Sequence, residues 1–580
     1  MTSQVQPRIV RRSLPQPPVL PAGLHPVLSR VYAGRGVRSA DDIDYSLAQL
    51  HPFQTLQGIA AAAALLARAL EHQARILIVG DFDADGATAS AVAVRGLCAM
   101  GAEQVGFLVP NRFEYGYGLS PEIVAVAAEQ RPQLIVTVDN GISSVEGVAA
   151  AQRLGIEVLI TDHHLPGATL PAATAIVNPN QAGDPFPSKH LAGVGVMFYV
   201  LMALRAELRE RGWFRRRGMA EPRLAELLDL VALGTVADVV VLDRNNRILV
   251  SQGLARIRAG RCQPGVRALL DVAKRPLASL TARDLGYAAA PRLNAAGRLA
   301  DMSLGIRCLL SDDYPRARAL AEQLDRLNCE RRVIESRMHD EALVQLERLG
   351  APVDGGRFGL CLFDEGWHQG VIGLLAGRLR ERLGRPVIAF ANGLGDEVKG
   401  SARSVTGLHI RDALDAVAAR HPGLLRKFGG HAMAAGLTLE RRRVREFGQA
   451  FDAELERRFG GELPNAVLHS DGELNDAHMS LNTAETLQEG GPWGQGFSEP
   501  LFDGELEVLR KRLVGERHLK LSVRAQPGGP VVTAMGFNCP AHEAITTGAR
   551  LHLAFRIEVD SYQGQRSPRL TIAHIVPPAT

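Results

Sequence analysis

Between Arg75 and His164 short apolar runs suited to buried strands alternate with stretches of helical spacing. The runs are ILIVGD (76–81), VGFLVP (105–110), LIVTVDN (134–140) and EVLITDHH (157–164); between them lie GATASAVAVRGLCAM (86–100), SPEIVAVAAEQ (120–130) and SVEGVAAAQRLG (144–155). Strands apolar throughout, each followed by a helix, predict a parallel sheet covered on both faces. Ligands of open parallel sheets bind at the carboxyl ends of the strands, and the acids fall there. GDFDADG supplies Asp81, Asp83 and Asp85, VDNG supplies Asp139, and TDHH supplies Asp162, His163 and His164. Asp238 is embedded in the apolar stretch VALGTVADVVVL.

Acids crowded at one sheet edge repel one another unless cations or protons compensate them, and carboxylates with imidazole suit Mg²⁺ or Mn²⁺. The spacing implies two ions, and the chemistry of such a pair is hydrolysis of a phosphoryl bond by an activated water. Asp83 and Asp85, on one tight turn, can reach different ions, and Asp139 from a neighbouring strand is the natural bridge. The competing explanation, that acids after strands are ordinary helix N-caps and turn formers, fits any one of them better than it fits the whole set.

The chain has 580 residues, enough for about three to five domains. Residues 1–50 form a Pro-rich arm, and Gly58 to Gln73 form an Ala/Leu helix. The first domain is drawn over 51–349. Its part beyond 188 is mostly helical and ends in a long charged stretch suited to a solvated helix joining two lobes. GAPVDGGR (350–357) opens a second, smaller α/β lobe over 350–460. Short alternating segments over 461–580 predict an OB-type β-barrel. At 46% hydrophobic and 22% charged residues, wholesale disorder is excluded. The net charge of +4 does not mark an extreme polyanion binder, although only six of the 66 basic residues are Lys. Six scattered cysteines without a CxxC pair argue against a zinc ribbon or disulfide framework and for a reducing compartment. With no signal-like start and no uncharged apolar run of about 18 residues, a cytoplasmic location and no membrane are expected.

The ordered set GDFDADGATA, VTVDNG, TDHH and TVAD resembles the four signature motifs of the DHH phosphoesterase superfamily. With LVPNRFEYGYGLS, APRLNAAGRLAD, GWHQGVIGLLAGRL, GSARS, FGGHAMAAG and GPWGQGF added, the chain from about residue 75 onward resembles the RecJ family of bacterial single-stranded-DNA exonucleases. The resemblance implies that Asp83, Asp85, Asp139, His163 and Asp238 are metal ligands for two Mn²⁺ or Mg²⁺ ions, with Asp139 bridging. It implies that Asp81 joins directly or through a water, that Asp162 orients an imidazole, and that His164 faces the scissile phosphate. Where the superfamily's pyrophosphatases place a ligand His, this chain has Val79-Gly80-Asp81, which favours the nuclease branch.

Arg suits phosphate clamps because its fork is bidentate and always charged. Arg112, with Tyr117 beside it, and Arg292, Asn294 and Arg298 in a presumed loop, PRLNAAGRL, are the candidates near the acids; Gly297 would let a phosphate approach the backbone. In the second lobe, GSARS and FGGHAMAAG offer Ser401, Arg403 and His431 in anion-nest-like segments. The resemblance assigns Ser401, Arg403 and Arg112 to 5′-end recognition. Tyr115, Tyr117, Trp493 and Phe497 are the available base-stacking groups. The implied activity is metal-dependent 5′ to 3′ exonucleolysis of single-stranded DNA in repair and recombination, by a monomer working with a single-strand-binding protein and a helicase. Two rivals stand beside it: a DHH-superfamily phosphodiesterase acting on short oligonucleotides or small phosphoesters, and a non-catalytic replication scaffold.

Overall fold

The computed structural model describes residues 7–14, 20–21, 23–111, 114–115, 117–348, 357–463, 466–515, 518–537, 539, 545–562 and 564–576. Its contacts divide the chain into a larger unit, Leu14–Asn328 with Asn482–Pro500, and a smaller one, Met1–Ser13 with Cys329–Leu481 and Leu501–Thr580. The division falls inside one long helix, Tyr314–Arg348, the charged stretch that the sequence marks as helical.

The chain opens with a strand, β1 (Arg8–Arg11), which belongs to the smaller unit. The larger unit is built on β2 (Ile76–Gly80), β3 (Val105–Leu108), β4 (Leu134–Val138), β5 (Glu157–Thr161) and β6 (Ala175–Val177). They form a parallel sheet in the order β3-β2-β4-β5-β6. Every residue of β2 and β4 is buried, as the unbroken apolar runs require. On one face Leu77, Val79, Ile135, Val158 and Ile160 pack against Ile123, Val124 and Val148 of two crossover helices, Pro121–Glu129 and Val145–Arg153. Each such side chain contributes about 1.5–3 kcal/mol by burial. Ser120 starts the first of these helices by accepting from Ile123 N, with Pro121 at the first position.

Several readings change. PRLNAAGRL is not a loop: it lies in the helix Ala290–Leu299, entered through a π-helical turn, Leu285–Ala289. Gly297 faces protein, not a ligand, because a Cβ there would stand 1.8 Å from the Phe82 carbonyl oxygen. The helix therefore lies directly on the GDFDADG turn. Gly297→Ala is expected to cost about 1–3 kcal/mol through overpacking, read by calorimetry as an earlier melting transition, with activity lost in parallel.

The arm is not wholly irregular either. Besides β1, it forms a helix, Pro26–Ala33, capped by His25. Tyr32 Oη donates to Gly490 O at 2.8 Å and Arg35 Nε to Ser498 O at 2.7 Å. Those partners lie in the 482–500 segment, and its aromatics are spent there. Trp493 stacks on Phe497 with centroids 5.0 Å apart, Arg247 sits 4.3 Å over the Phe497 ring, and Arg35 sits 5.2 Å over Trp493. Phe497 is 2% exposed and belongs to the core; Trp493 is partly buried, its ring already engaged by Phe497 and Arg35.

In the smaller unit, β7 (Leu360–Phe363), β8 (Val387–Asn392), β9 (Glu397–Arg403), β10 (Lys427–Gly430) and β11 (Ala434–Glu440) form a mixed sheet in the order β10-β11-β9-β8-β7. Phe390, Leu437, Phe447 and Phe451 are among the fully packed side chains of its covered face. Next, β12 (Val467–Ser470) pairs in parallel with β1. Then β13 (Phe502–Val514), β14 (His518–Arg524), β15 (Val532–Gly536), β16 (Arg550–Tyr562) and β17 (Gln565–Val576) close into a barrel, as expected. Arg11 joins β1 to this barrel through Asp503, at 2.8 Å, and Glu473, at 2.6 Å. Among the described residues no single helix is long and apolar enough to cross a membrane, and none of the six cysteines forms a disulfide.

Candidate active site

The acids converge because each follows a neighbouring strand or lies at one end of a helix beside it. After β2, Asp81 Oδ1 accepts from Phe82 N at 2.7 Å. Asp83 caps the helix Ala84–Ala99 by accepting from Gly86 N at 3.0 Å, so the N-cap explanation holds for it as well. Asn294 Oδ1 accepts from Ala84 N at 2.8 Å in the same turn. Asp85 points inward to the start of another helix, Gly193–Glu210, accepting from Gly193 N at 2.6 Å and Val194 N at 2.9 Å. Asp139 follows β4 with φ of 62°, a left-handed conformation that costs a non-glycine residue free energy. Gly193 makes room for it, since a Cβ at 193 would lie 2.5 Å from Asp139 Cβ. Asp238 closes the helix Leu228–Ala237 as its C-cap.

Three sets of potential ligand atoms each fall within 4.8 Å: Asp81, Asp83 and Asp139; Asp85, His163 and Asp238; and Asp139, His163 and His164. His163 Nε2 links the sets, 3.1 Å from Asp139 Oδ1 and 3.5 Å from Asp238 Oδ2. Burial first, then the charge of Asp83, pushes the Asp85 carboxyl up to about 7, against the opposing N–H groups of Val194 and Gly193. Burial, followed by the charges of Asp85 and Asp83, raises Asp139 and Asp238 well above ordinary aspartates. Asp139 Oδ1 is buried yet accepts no hydrogen bond among the described residues. A mutually repelling, hard-oxygen donor set with an orphaned acceptor at its centre fits divalent cations.

Asp162, fully buried, is the hub of the triplet. Its Oδ1 accepts from His163 N at 2.7 Å and His164 N at 3.1 Å and lies 2.7 Å from His164 Nδ1, while Oδ2 accepts from Ile142 N at 2.9 Å. Burial works against its charge, but the hydrogen bond and charge of His164, then His163 and the Ile142 N–H, outweigh it and lower its carboxyl. Burial likewise opposes protonation of His164, and Asp162 overrides it and raises the imidazole. Two residues missed from the sequence fix the triplet's backbone. Asn178 Nδ2 donates to His164 O at 2.9 Å, and Asn180 Nδ2 donates to His163 O at 2.6 Å. They follow β6, whose three residues give too short an apolar run to signal a strand; the doublet in VNPN was the only cue.

The substrate candidates are placed unevenly. Arg112 lies outside the described residues. Tyr117 sits beside the triplet, its hydroxyl 3.1 Å from both Asp139 O and His164 Nδ1. Arg292 is buried and committed to Asp325, at 2.8 Å, and to Ala288 O, at 2.5 Å. Asn294 caps the acid-bearing helix, and Arg298, on the same helix, is partly buried.

In the smaller unit GSAR is not a loop nest; it lies in β9, where alternation puts Lys399, Ser401 and Arg403 on one face. Arg403 Nη1 donates to Ser401 Oγ at 2.9 Å. Ser401 pairs with Gly436 and Gly436 with Gly429, and a Cβ at either glycine would meet nothing. The strip is thus floored by backbone and flanked by Lys399 and, on β10, Lys427, two cations the sequence reading passed over. His431 is exposed in the β10–β11 turn, its N–H donating to Ala434 O at 2.8 Å.

Family models match in the same order along the chain: the DHH family N-terminal domain over residues 75–235, the DHHA1 domain over 356–457, and the RecJ OB domain over 470–574. The chain is 55% identical to the single-stranded-DNA-specific exonuclease RecJ of Dickeya dadantii, over 96% of this chain and 97% of that one. It is 51% identical to the Escherichia coli protein of the same name, over the full length of both. The crystal structure of RecJ from Thermus thermophilus in complex with Mn²⁺ superposes with a TM-score of 0.81 at 30% identity, covering 100% of this chain and 81% of that one. Three successive domain matches and full-length identity above one half place this chain in the RecJ family of single-stranded-DNA-specific exonucleases.

Proposed function

We infer that this chain is a metal-dependent exonuclease that hydrolyses single-stranded DNA from the 5′ end, serving repair and recombination. The observation that carries the reading is the convergence of Asp81, Asp83, Asp85, Asp139, His163 and Asp238 at one sheet edge around the orphaned Asp139 Oδ1. Asp81, Asp83 and Asp139 would hold one ion, Asp85, His163 and Asp238 the other, with Asp139 reaching both. Two Mn²⁺ or Mg²⁺ ions, when bound, supply Lewis acidity toward phosphoryl oxygens and a more acidic water. Asp162 holds His164 in place, and His164 donates a hydrogen bond to a phosphate oxygen as charge builds there. Arg112, Asn294 and Arg298 steady the strand near the acids. Ser401, Arg403 and His431, on and beside the glycine-floored strip, bind its phosphates, a 5′ phosphate among them, with Arg292 supporting from within its helix. A barrel on which short substrates have no claim supports a polymeric strand over a small phosphoester. The full acid set supports an enzyme over a scaffold. A monomer in the cytoplasm, receiving strands from a helicase and a single-strand-binding protein, completes the reading.

The test is digestion of a 5′-labelled single strand and the matching duplex with Mn²⁺. Mononucleotide release from the 5′ end, with the duplex resisting at least about 100-fold, is expected. Release from the 3′ end, or equal digestion of the duplex, would overturn it. Asn180→Ala, which frees the His163 carbonyl, is expected to lower kcat by about 10–100-fold, in line with other outer-sphere partners of metal ligands; steady-state kinetics on the same strand reads it.

A further inference from the structure

In the larger unit the strand pairing stops immediately before the acids. The β2–β4 ladder ends at Gly80 with Val138 and the β4–β5 ladder at Val138 with Thr161, so Asp81, Asp139 and Asp162 each come next. Side chains carry the bonding past that point. Asn140 Nδ2 donates to Val79 O of β2 at 3.0 Å and to Val138 O of β4 at 2.9 Å. Both partners are main-chain carbonyls, which only accept, so the amide can present nothing but its N–H pair to them. Asn140 O accepts from Thr137 Oγ1 at 2.8 Å, and Thr161 Oγ1 donates to Thr137 O at 2.8 Å. Asn140, Thr137 and Thr161 are all buried. Gly141, at φ of 112°, leaves the Thr137 hydroxyl its place, since a Cβ there would stand 2.5 Å from Oγ1.

We propose that Asn140 is a positioning residue whose amide, tying the ends of β2 and β4 together, sets the separation of Asp81 and Asp139 and so builds the cation site those two share with Asp83. Carboxylates at adjacent strand ends repel, and outward drift of either would widen the site. A buried amide with one N–H on each strand opposes that drift. Thr161 and Thr137 extend the bonding to β5, whose last residue precedes Asp162. In VDNG, then, Asp139 supplies the ligand, Asn140 the clamp and Gly141 the room for it. This role rests on the two-cation reading of the edge and on nothing about DNA.

The test is a Mn²⁺ titration of the protein without DNA, followed by the electron paramagnetic resonance of the free ion, on wild type, Asn140→Leu and Thr137→Val. Leu keeps the heavy-atom outline of Asn and removes both donors; Val removes only the hydroxyl that holds Asn140 O. Wild type should take up two Mn²⁺. Asn140→Leu should bind at least one of them about 10–100-fold more weakly, the range for outer-sphere partners of metal ligands, and Thr137→Val should show a smaller loss in the same direction. In steady-state digestion kcat at limiting Mn²⁺ should fall with the affinity and recover as Mn²⁺ is raised, which a general loosening of the fold would not produce. Wild-type Mn²⁺ binding in Asn140→Leu, with only the metal-free melting temperature lowered, would overturn the role and leave Asn140 a residue of the fold. Should Asn140→Leu not fold, Thr137→Val decides alone, and unchanged affinity there overturns the role. Fewer than two Mn²⁺ on the wild type would instead overturn the two-cation reading. Two Mn²⁺ without degradation of single strands would overturn the exonuclease reading and leave the role of Asn140 standing.

Discussion

Asp139→Asn is expected to lower kcat on single-stranded DNA by at least about a thousandfold while leaving the protein folded. Asp139 is the only residue besides His163 that belongs to two of the three ligand sets, and its Oδ1 is the buried acceptor that no described group satisfies. Losing its charge withdraws a donor from both proposed ion sites at once, about 4 kcal/mol of transition-state stabilisation for a thousandfold loss. Asn is the informative substitution because it tolerates the left-handed backbone at φ of 62° that Ala would strain. Single-turnover digestion reads the loss, and an unshifted or raised melting temperature without metal shows that the fold survives. Comparable rates in the two proteins would remove Asp139 from the chemistry.

The second large effect is on stability. Without cations the acid edge opposes folding, so the metal-free protein should become more stable as pH falls from about 8 to about 6. The sign follows from the direction of the shift. Asp85 titrates near 4 in an unfolded chain and is pushed up to about 7 by burial, then Asp83. A raised carboxyl leaves the folded state binding the proton more tightly than the unfolded state does. Stability from this group therefore falls as pH climbs from about 4 to about 7 and is fully lost above that. Asp139 and Asp238 move the same way. Mn²⁺ competes with those protons, so saturating metal should raise the melting temperature and flatten its dependence on pH; at 100 times Kd the gain is about 2.7 kcal/mol. Asp238→Asn, at a helix C-cap and less buried than Asp139, should raise the metal-free melting temperature at pH 8 and shrink the Mn²⁺ effect. Differential scanning calorimetry across pH, with and without Mn²⁺, checks both; a metal-free protein that loses stability between pH 8 and pH 6 would contradict the electrostatic account.

The acid edge was legible because a parallel sheet makes one simple demand, unbroken apolar strands whose ends lie together, so Asp81, Asp139 and Asp162 could be brought to one edge from spacing alone. The barrel was legible for the complementary reason: alternating short segments have few other ways to bury one face. What escaped depends on contacts between residues far apart in the sequence. Nothing local distinguishes Trp493 and Phe497 packed on one another from the same pair as a stacking surface; Tyr32, Arg35 and Arg247 engage their rings. Arg292 reads as a phosphate clamp until Asp325 is found 2.8 Å away. Gly297 reads as room for a phosphate until Phe82 O fills that room. Lys399 and Lys427 became visible only once GSAR proved to be strand: two-residue alternation sets Lys399 on the face of Ser401 and Arg403, and the register through Thr438 brings Lys427 of β10 into line with Lys399.

The account stands on the claim that this sheet edge holds two cations. Anomalous diffraction at the manganese edge, from crystals of the protein equilibrated with Mn²⁺, tests it most directly. Two peaks about 3.5–4 Å apart, both against Asp139, one also contacted by Asp83 and the other by His163 and Asp238, are the predicted result. No peak at this edge under saturating Mn²⁺, or a single ion that leaves Asp139 Oδ1 without a partner, would contradict it.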